Sequence, residues 1–231
     1  MYSLTQSQAV TLRNFLGRTF SWMTAGLVMT AITAYSAASS EGLYAFVRSN
    51  YLMLVLLQLG LVFGLGFLIN RINGATAGVL FSLYSVLTGL TLSGIFFRYA
   101  GSDITLAFVT AAGMFGAMAV IGYTTKMDLS RFGTILFMGV IGLVIASIAN
   151  IWIGGSAFSM AIAVVGVIIF CALTAYDMQK LKEMALSGGP GLTQSDMGEK
   201  MAVFGALTLY LDFINIFLFL LRLFGGGRSN D

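Results

Sequence analysis

The stretch "LTLYLDFINIFLFLLRLF" (residues 207–224) places one acid, Asp212, inside a segment that is otherwise apolar enough to span a lipid bilayer. On a helix, Asp212 shares one face with Gly205, Thr208 and Asn215, and bulky apolar residues occupy the other sides. This helix is therefore predicted to lie at the centre of a helical bundle. An ionised acid at mid-membrane costs at least about 2.5 kcal/mol, so Asp212 is expected to be protonated, paired or beside a wet cavity. The alternative is a neutral acid whose hydrogen bond only holds helices together.

The composition extends this interpretation to the whole chain of 231 residues. Hydrophobic residues make up 58% and charged residues only 9%, whereas soluble domains carry about 25% charged residues. We predict an integral membrane protein embedded in a lipid bilayer, whose net charge of +3 sets its orientation and not nucleic-acid binding. The absence of histidine removes the usual near-neutral proton sensor, the commonest metal ligand and Ser-His catalysis. Cys171 lies in an apolar run, where a packing role is expected.

Charged residues divide the chain into apolar stretches of membrane-spanning length. The stretch 132–176 is too long for one crossing, and the glycine turn in "IWIGGSAFS" (151–159) divides it into two. Seven spans result from the stretches 19–40, 49–70, 72–97, 104–125, 132–176 and 201–221. The fold class is therefore predicted as an all-α integral membrane protein, a seven-helix bundle. Its parts are predicted as a cytoplasmic amino-terminal segment (1–18), a single membrane domain (19–223) and a polar tail (224–231). The first stretch is interpreted as a retained span, not a signal peptide.

The distribution of lysine and arginine predicts a cytoplasmic amino terminus. When the spans alternate, eight basic residues fall on the side of the amino terminus: Arg13, Arg18, Arg71, Lys126, Arg131, Lys180, Lys182 and Lys200. Only Arg48 and Arg98 fall among the loops of the other side. Arg222 and Arg228 follow the last span and leave the side of the carboxy terminus open.

The glycine motifs of the chain are interpreted as sites of helix packing and turns. Gly60 and Gly64, and likewise Gly74 and Gly78, form G-x-x-x-G pairs, which permit close helix approach in lipid. Because the chain contains 28 glycines, internal packing is favoured over a dimer seam. The sequence "SGGPG" (187–191) has no preceding strand and no following Lys-Ser/Thr, so no phosphate-binding loop and no cofactor are expected.

A second acid, Asp177, stands at the end of the sixth span in "ALTAYDMQKLKEMA" (172–185). Lys180 follows at i+3 and can neutralise it, so an interfacial charge is one interpretation. Arg71 is similarly a boundary residue that can snorkel to the interface. Asp212 lies about 16 Å into the membrane when its helix starts at Met201. Contact with Asp177 therefore requires tilt, or a sixth helix that extends past the membrane surface.

These residues carry a resemblance to a known family. "LTAYDMQKLK" (173–182) and "ALTLYLDFINIFLFLLRLFG" (206–225) resemble the paired carboxy-terminal signature of the Bax-inhibitor-one family, also called transmembrane Bax-inhibitor-motif proteins. "LYSVLTGLTLSGIF" (83–96) is similar to the third-helix motif of that family, and "GYTTKMDLSRFG" (122–133) resembles its bacterial members.

The resemblance implies a seven-helix fold with the last helix central and a pH-sensitive calcium leak in the inner membrane. By motif match, Asp177 and Asp212 are the pH sensor and the weak, transient calcium site, and Arg71 is their latch. Calcium is implied as the transported ion, with no resident cofactor. The sequence departs from the family in a long loop from Met178 to Lys200, whose role stays open.

Elementary electrostatics makes this role reasonable, because two carboxylates held close together cannot both ionise cheaply. Losing the shared proton would recruit Arg71 or a cation, and calcium would find only a weak site there. No enzymatic activity is expected. The rival interpretations are a non-catalytic modulator of a membrane protease, implied for some bacterial relatives, and an intramembrane aspartyl protease. "AYD" fits the protease, but "LYLD" lacks its Gly-x-Gly-Asp arrangement and no Pro-Ala-Leu follows. The physiological ion, the sense of the pH response and the oligomeric state stay open.

Overall fold

The computed structural model describes residues 5–69, 71–189, 191–192 and 195–225, and within these ranges it contains helices and no strand. The α-helices are α1 (Gln6–Ser39), α2 (Glu41–Ser49), α3 (Tyr51–Leu68), α4 (Gly74–Leu92), α5 (Ile95–Arg98), α6 (Gly101–Thr124), α7 (Gly133–Ile153), α8 (Ser156–Ser187) and α9 (Asp196–Gly225), with a 3₁₀ turn at Leu129–Phe132. The predicted all-α class is confirmed.

Six helical segments are long and apolar enough, by length and composition, to cross a membrane. They are α3, α4 with α5, α6, the 3₁₀ turn with α7, α8, and α9. The predicted first span, 19–40, is helical but is not among the six. At 34 residues α1 is long enough, and its threonines and serines are what make it less apolar than the others. The protein therefore has the helices of a multi-pass membrane protein.

Two glycines separate α7 from α8. Gly154 and Gly155 have φ angles of 66° and 99°, in the left-handed region that side chains with a Cβ rarely adopt. The Gly154 N–H donates to the Asn150 carbonyl and closes the last turn of α7. This arrangement confirms the predicted division of the stretch 132–176 into two helices.

The long loop predicted from Met178 to Lys200 is wrong in extent. Helix α8 continues to Ser187 and α9 begins at Asp196, so most of the predicted loop is helical. Glu199 and Asp196 lie in the first turn of α9, where acidic side chains favour helix formation by opposing the helix dipole.

The predicted terminal segments also contain helix. Helix α1 begins at Gln6, capped by the Thr5 side chain, so most of the predicted segment 1–18 is helical. Phe224 and Gly225 end α9, and the remaining part of the predicted tail, 226–231, lies outside the described residues.

The chain divides into two compact units, and the first comprises Met1–Arg98 and Leu181–Tyr210. Within it α1 and α4 pack closely because glycines remove side chains at their crossing points. A Cβ on Gly26 would lie 2.5 Å from the Phe81 ring, and one on Gly89 would lie 2.6 Å from the Thr30 carbonyl oxygen.

Glu199 connects the start of α9 to α1 within the first unit. Its carboxylate accepts a hydrogen bond from the Trp22 indole N–H at 2.9 Å and from the Arg18 guanidinium at 3.3 Å. Asp196 accepts a hydrogen bond from the Gly74 N–H at 2.7 Å, and the Lys200 ammonium donates to the Ile72 carbonyl at 3.4 Å. The first turn of α9 therefore fixes both α1 and the connection between α3 and α4.

Replacing Glu199 with alanine is expected to lower the free energy of unfolding by about 1–3 kcal/mol, because the half-buried Trp22 N–H loses its acceptor. The half-exposed ion pair with Arg18 contributes little of this. Glu199→Gln keeps an acceptor and should lose less. Thermal unfolding in detergent measures the change, with Glu41→Ala on the exposed end of α2 as the control. Equal midpoints for Glu199→Ala and Glu41→Ala would contradict the role of this contact.

The two G-x-x-x-G pairs have different surroundings. A Cβ on Gly74 would lie 2.8 Å from the Glu199 side chain, and one on Gly78 would lie 2.7 Å from the Trp22 ring, so internal packing is confirmed there. Gly60 and Gly64 meet no described atom within 4 Å, and the prediction of internal packing is wrong for that pair.

The second unit comprises Tyr99–Lys180 and Leu211–Asp231. Aromatic rings of α6 and α9 pack edge to face in it, with Phe108 and Phe115 at 5.4 and 5.8 Å from the Phe213 ring. Gly122 of α6 lies directly on the backbone of Ala175 in α8, so close that a Cβ would overlap the carbonyl group. This contact brings α6 against the part of α8 that carries Asp177.

Candidate functional site

Asp212 is a buried acid near the middle of α9, with 4% of its surface exposed. Its Oδ2 atom is buried and has no hydrogen-bond partner among the described residues. Of the six candidate spans, α9 is the most buried: 67% of its most apolar 18-residue stretch is buried inside the protein. A carboxylate oxygen in such surroundings requires a proton, a donor or a cation.

The structure brings Asp177 against Asp212. Asp177 is half-buried on α8, and its carboxyl group lies close enough to that of Asp212 for a hydrogen bond. Such a bond between two carboxyl groups needs a proton on one of them. The contact is possible because α8 continues to Ser187, so that Asp177 lies well inside the helix and not at its end. Of the two arrangements that the sequence allowed, tilt or an extended sixth helix, the structure has the extended helix.

Few other polar groups contact the pair. Thr174, one turn before Asp177, is a side-chain neighbour of Asp212, and its own hydroxyl donates to the Phe170 carbonyl at 2.8 Å. Lys180 is exposed and close enough to attract Asp177 electrostatically, and its ammonium lies 6.0 Å from the centre of the Tyr176 ring. The described residues thus form no ion pair with either acid, and a second negative charge would be poorly compensated.

The predicted polar face of the last helix separates into two environments. Gly205 and Asp212 are buried, whereas Thr208 and Asn215 are half-exposed. Thr208 donates to the Phe204 carbonyl at 3.1 Å, and Asn215 donates to the Leu211 carbonyl at 2.8 Å. The side chains of Thr208 and Asn215 therefore form their hydrogen bonds within α9.

Arg71, the predicted latch, lies in the first unit, and its side chain is exposed. Within the described part of the chain its guanidinium forms no ion pair. Its backbone N–H donates to the Leu68 carbonyl at 2.7 Å, in the connection that Asp196 and Lys200 hold. The latch role stays a prediction.

The pair offers two carboxyl groups as possible ligands for a cation. Among the described residues, no group of three or more Cys, Asp or Glu side chains could hold a metal ion. Calcium normally takes six to eight oxygen ligands, so two carboxylates would have to be supplemented by carbonyl groups or water. Such a site would bind calcium weakly and release it readily.

Two residues beside the pair were not predicted from the sequence. Gln179, nearly buried at 9% exposure, hydrogen-bonds to the connection between α6 and α7. Gly122 permits α6 to touch α8. Gln179 stands inside the quoted stretch "LTAYDMQKLK", two positions after Asp177, which is the only signal the sequence offered.

Comparison with known proteins shows a consistent relationship over nearly the full length. The family model described as "Inhibitor of apoptosis-promoting Bax1" matches residues 12–230. The chain is 46% identical to the inner membrane protein YbhL of Escherichia coli K12 over 222 residues, which cover 94% of the chain and 93% of the relative. An uncharacterised protein of Deinococcus radiodurans is 46% identical over 234 residues, covering 100% and 98%. An uncharacterised protein of Borreliella burgdorferi is 42% identical over 238 residues, covering 100% of both chains.

Proposed function

The chain belongs to the Bax inhibitor-1 family, and on this premise we propose that it is a pH-sensitive calcium leak channel. One observation carries the proposal: the carboxyl groups of Asp177 and Asp212 lie within hydrogen-bonding reach of each other, and Asp212 is buried with an oxygen that has no hydrogen-bond partner among the described residues. The pair is the sensor in this proposal and also the site that calcium passes.

A proton shared by the two acids supplies the pH sensitivity. Carboxyl groups in contact titrate as a unit, so one proton more or less changes the charge of the pair and not that of one residue. Each pH unit away from the midpoint changes the ratio of the two states about tenfold. Loss of the shared proton leaves two like charges on α8 and α9, and their repulsion favours separation of the two side chains.

Weak coordination suits an ion that must also leave. Two carboxylates attract a divalent cation electrostatically, and with no third acid beside them in the described residues they cannot enclose it. Conduction requires binding that is favourable enough for entry and weak enough for exit. Arg71 competes for the deprotonated pair in this proposal, as the latch.

We assign the protein to the inner membrane of a bacterium, with seven crossings, a central α9 and a cytoplasmic amino terminus. The Escherichia coli relative is named as an inner membrane protein, which supports the location, and the burial of α9 supports its central position. For α1 the support is the placement of its polar residues: Thr19 and Thr30 are buried, whereas Val28 and Ile32 are exposed. A helix whose outward surface is apolar can face lipid even when its overall composition is less apolar.

The decisive experiment measures calcium flux into liposomes that contain the purified protein, over a range of pH. Wild-type flux is expected to change with pH, and Asp177→Asn and Asp212→Asn are expected to remove that dependence because neither variant can share the proton. Asparagine keeps the size and hydrogen-bonding capacity of the side chain, so the variants should fold. Glu41→Gln, an exposed acid on α2, is the matched control.

Unchanged flux and pH dependence in both asparagine variants would refute the proposal. We propose no catalytic role for the pair, and incubation of the same preparation with a membrane-spanning peptide tests this point. Cleavage that disappears in Asp212→Asn would instead identify an aspartyl protease. Co-purification of a membrane protease, without any flux, would favour a modulator.

A further inference from the structure

One side chain ties the connection between α6 and α7 to α8 just beyond Asp177. The Gln179 amide nitrogen donates to the Met127 carbonyl at 2.7 Å, and its oxygen accepts from the Leu129 N–H at 2.8 Å. Gln179 is nearly buried, and both halves of its amide are used. A buried amide bonded on both sides fixes the position of the backbone it contacts.

The same part of α8 is enclosed by the ends of α6 and α7. Gly122, near the end of α6, lies on the backbone of Ala175. A Cβ on Gly133, the first residue of α7, would lie 2.8 Å from the Tyr176 hydroxyl. These contacts and the Gln179 bonds lie on either side of Asp177 along α8. A shift of α8 at Asp177 must therefore either move the connection or break its bonds.

We propose that Gln179 is a positioning residue that couples the Asp177–Asp212 pair to the connection between α6 and α7, so that the connection loosens when the pair loses its shared proton. This inference rests on the proposed function and adds the element through which the sensor acts. Repulsion moves Asp177 away from Asp212, and Gln179, half a turn further along the same helix, moves with it. Its bonds to Met127 and Leu129 then weaken.

The other charged and titratable groups around the pair and the connection do not supply this response. Asp128 lies between the two backbone groups that Gln179 contacts, and hydrogen bonds from the Ser130 hydroxyl and N–H, with the nearby Arg131, hold its pKa below the usual value. It therefore stays ionised at any pH near neutrality. The groups in question, besides the pair itself, are Cys171, Tyr176 and Lys180 on α8, Tyr123 on α6, and Lys126, Asp128 and Arg131 on the connection.

Hydrogen exchange of the full-length protein, measured by mass spectrometry at two pH values and corrected for the intrinsic rate, tests the coupling. In the wild type, exchange at the Leu129 amide is expected to rise roughly five- to tenfold at the higher pH, the factor that the loss of one such bond produces. In Asp177→Asn this rise should disappear.

Substitutions of Gln179 separate coupling from simple stability. Gln179→Leu removes both bonds, so Leu129 should exchange rapidly at both pH values and the pH profile of calcium flux should flatten. Gln179→Met also removes both bonds, with an unbranched side chain of similar length, and it serves alone if the leucine variant does not fold. The matched control is Gln58→Leu, since Gln58 also makes two hydrogen bonds, to the Leu87 carbonyl and the Thr91 hydroxyl.

The outcomes distinguish this inference from the proposed function. A normal flux profile and normal Leu129 protection in Gln179→Leu, or an equal effect of Gln58→Leu, would overturn the coupling and leave the leak intact. Exchange that follows pH and depends on Asp177 and Gln179, in a protein that passes no calcium, would overturn the leak and support the coupling.

Discussion

Gly122→Ala is expected to destabilise the protein severely, although it adds a single methyl group. The new Cβ would overlap the backbone of Ala175 in α8, and its nearest atom would be the carbonyl oxygen. A side chain could rotate away, but a helix backbone cannot, so α6 and α8 would have to separate. Overpacking typically lowers the free energy of unfolding by about 1–3 kcal/mol, and we expect a collision with backbone to cost at least the upper value of this range.

The same glycine-to-alanine substitution elsewhere on α6 should raise the stability of the protein and not lower it. Gly113 and Gly116 meet no described atom within 4 Å, so alanine fits at either position. Because alanine is the better helix former, Gly113→Ala and Gly116→Ala should stabilise the helix by about 0.5–1 kcal/mol each. The midpoint of thermal unfolding in detergent, together with monodispersity in size-exclusion chromatography, measures all three variants. A shift in the same direction at Gly122 and Gly113 would show that α6 does not touch α8 as described.

Helix positions were predictable because charge and hydropathy act over whole segments. The glycine turn at Gly154 and Gly155 was visible as a break in a long apolar stretch, and the structure has it there. The full length of α1 and the short connection before α9 could not be predicted in this way. Helices continue beyond an apolar stretch when capping and polar contacts support them. Thr5 caps α1, and the Glu199 and Asp196 contacts hold the start of α9.

The environment of a residue could not be read from spacing alone. Gly60–Gly64 and Gly74–Gly78 have the same spacing, yet among the described residues only the second pair packs against side chains of other helices. Thr208 and Asp212 share a helix face by periodicity, yet one is half-exposed and the other buried. Periodicity fixes directions around a helix axis, whereas the neighbours that cover each direction come from other parts of the chain.

The candidate site shows the same limit. The sequence pointed to Asp212 because an acid in an apolar helix is costly, and the resemblance paired it with Asp177. Gln179 carried no such warning, since a glutamine near the end of a span is ordinary. Its significance comes from Met127 and Leu129, which lie about fifty positions earlier in the chain.

Among the described residues, Tyr210 is the largest side chain that is completely buried, and it lies two positions before Asp212 on α9. The rings of Phe81 and Tyr84 pack edge to face against it at 5.7 and 5.9 Å. Its hydroxyl lies 2.6 Å from the Thr30 hydroxyl, which itself donates to the Ser85 carbonyl at 2.9 Å. Thr30 has one proton to give, so Tyr210 must be the donor of the shorter bond.

Tyr210→Ala is therefore expected to lower the free energy of unfolding by about 3–5 kcal/mol, because a buried ring is replaced by a cavity that rigid helices cannot close. Tyr210→Phe keeps the ring and loses the hydroxyl that bonds to Thr30, which in a membrane protein should cost roughly 0.6–2 kcal/mol. Thermal unfolding in detergent separates the two contributions, with Tyr51→Ala at an exposed position as the control.

If the hydrogen bond is as assigned, combining Tyr210→Phe with Thr30→Val should cost less than the sum of the single changes, because the second substitution cannot remove a bond already lost. Additive costs would mean that the two hydroxyls do not interact, and a loss in Tyr51→Ala as large as that in Tyr210→Ala would mean that burial of the ring does not stabilise α9.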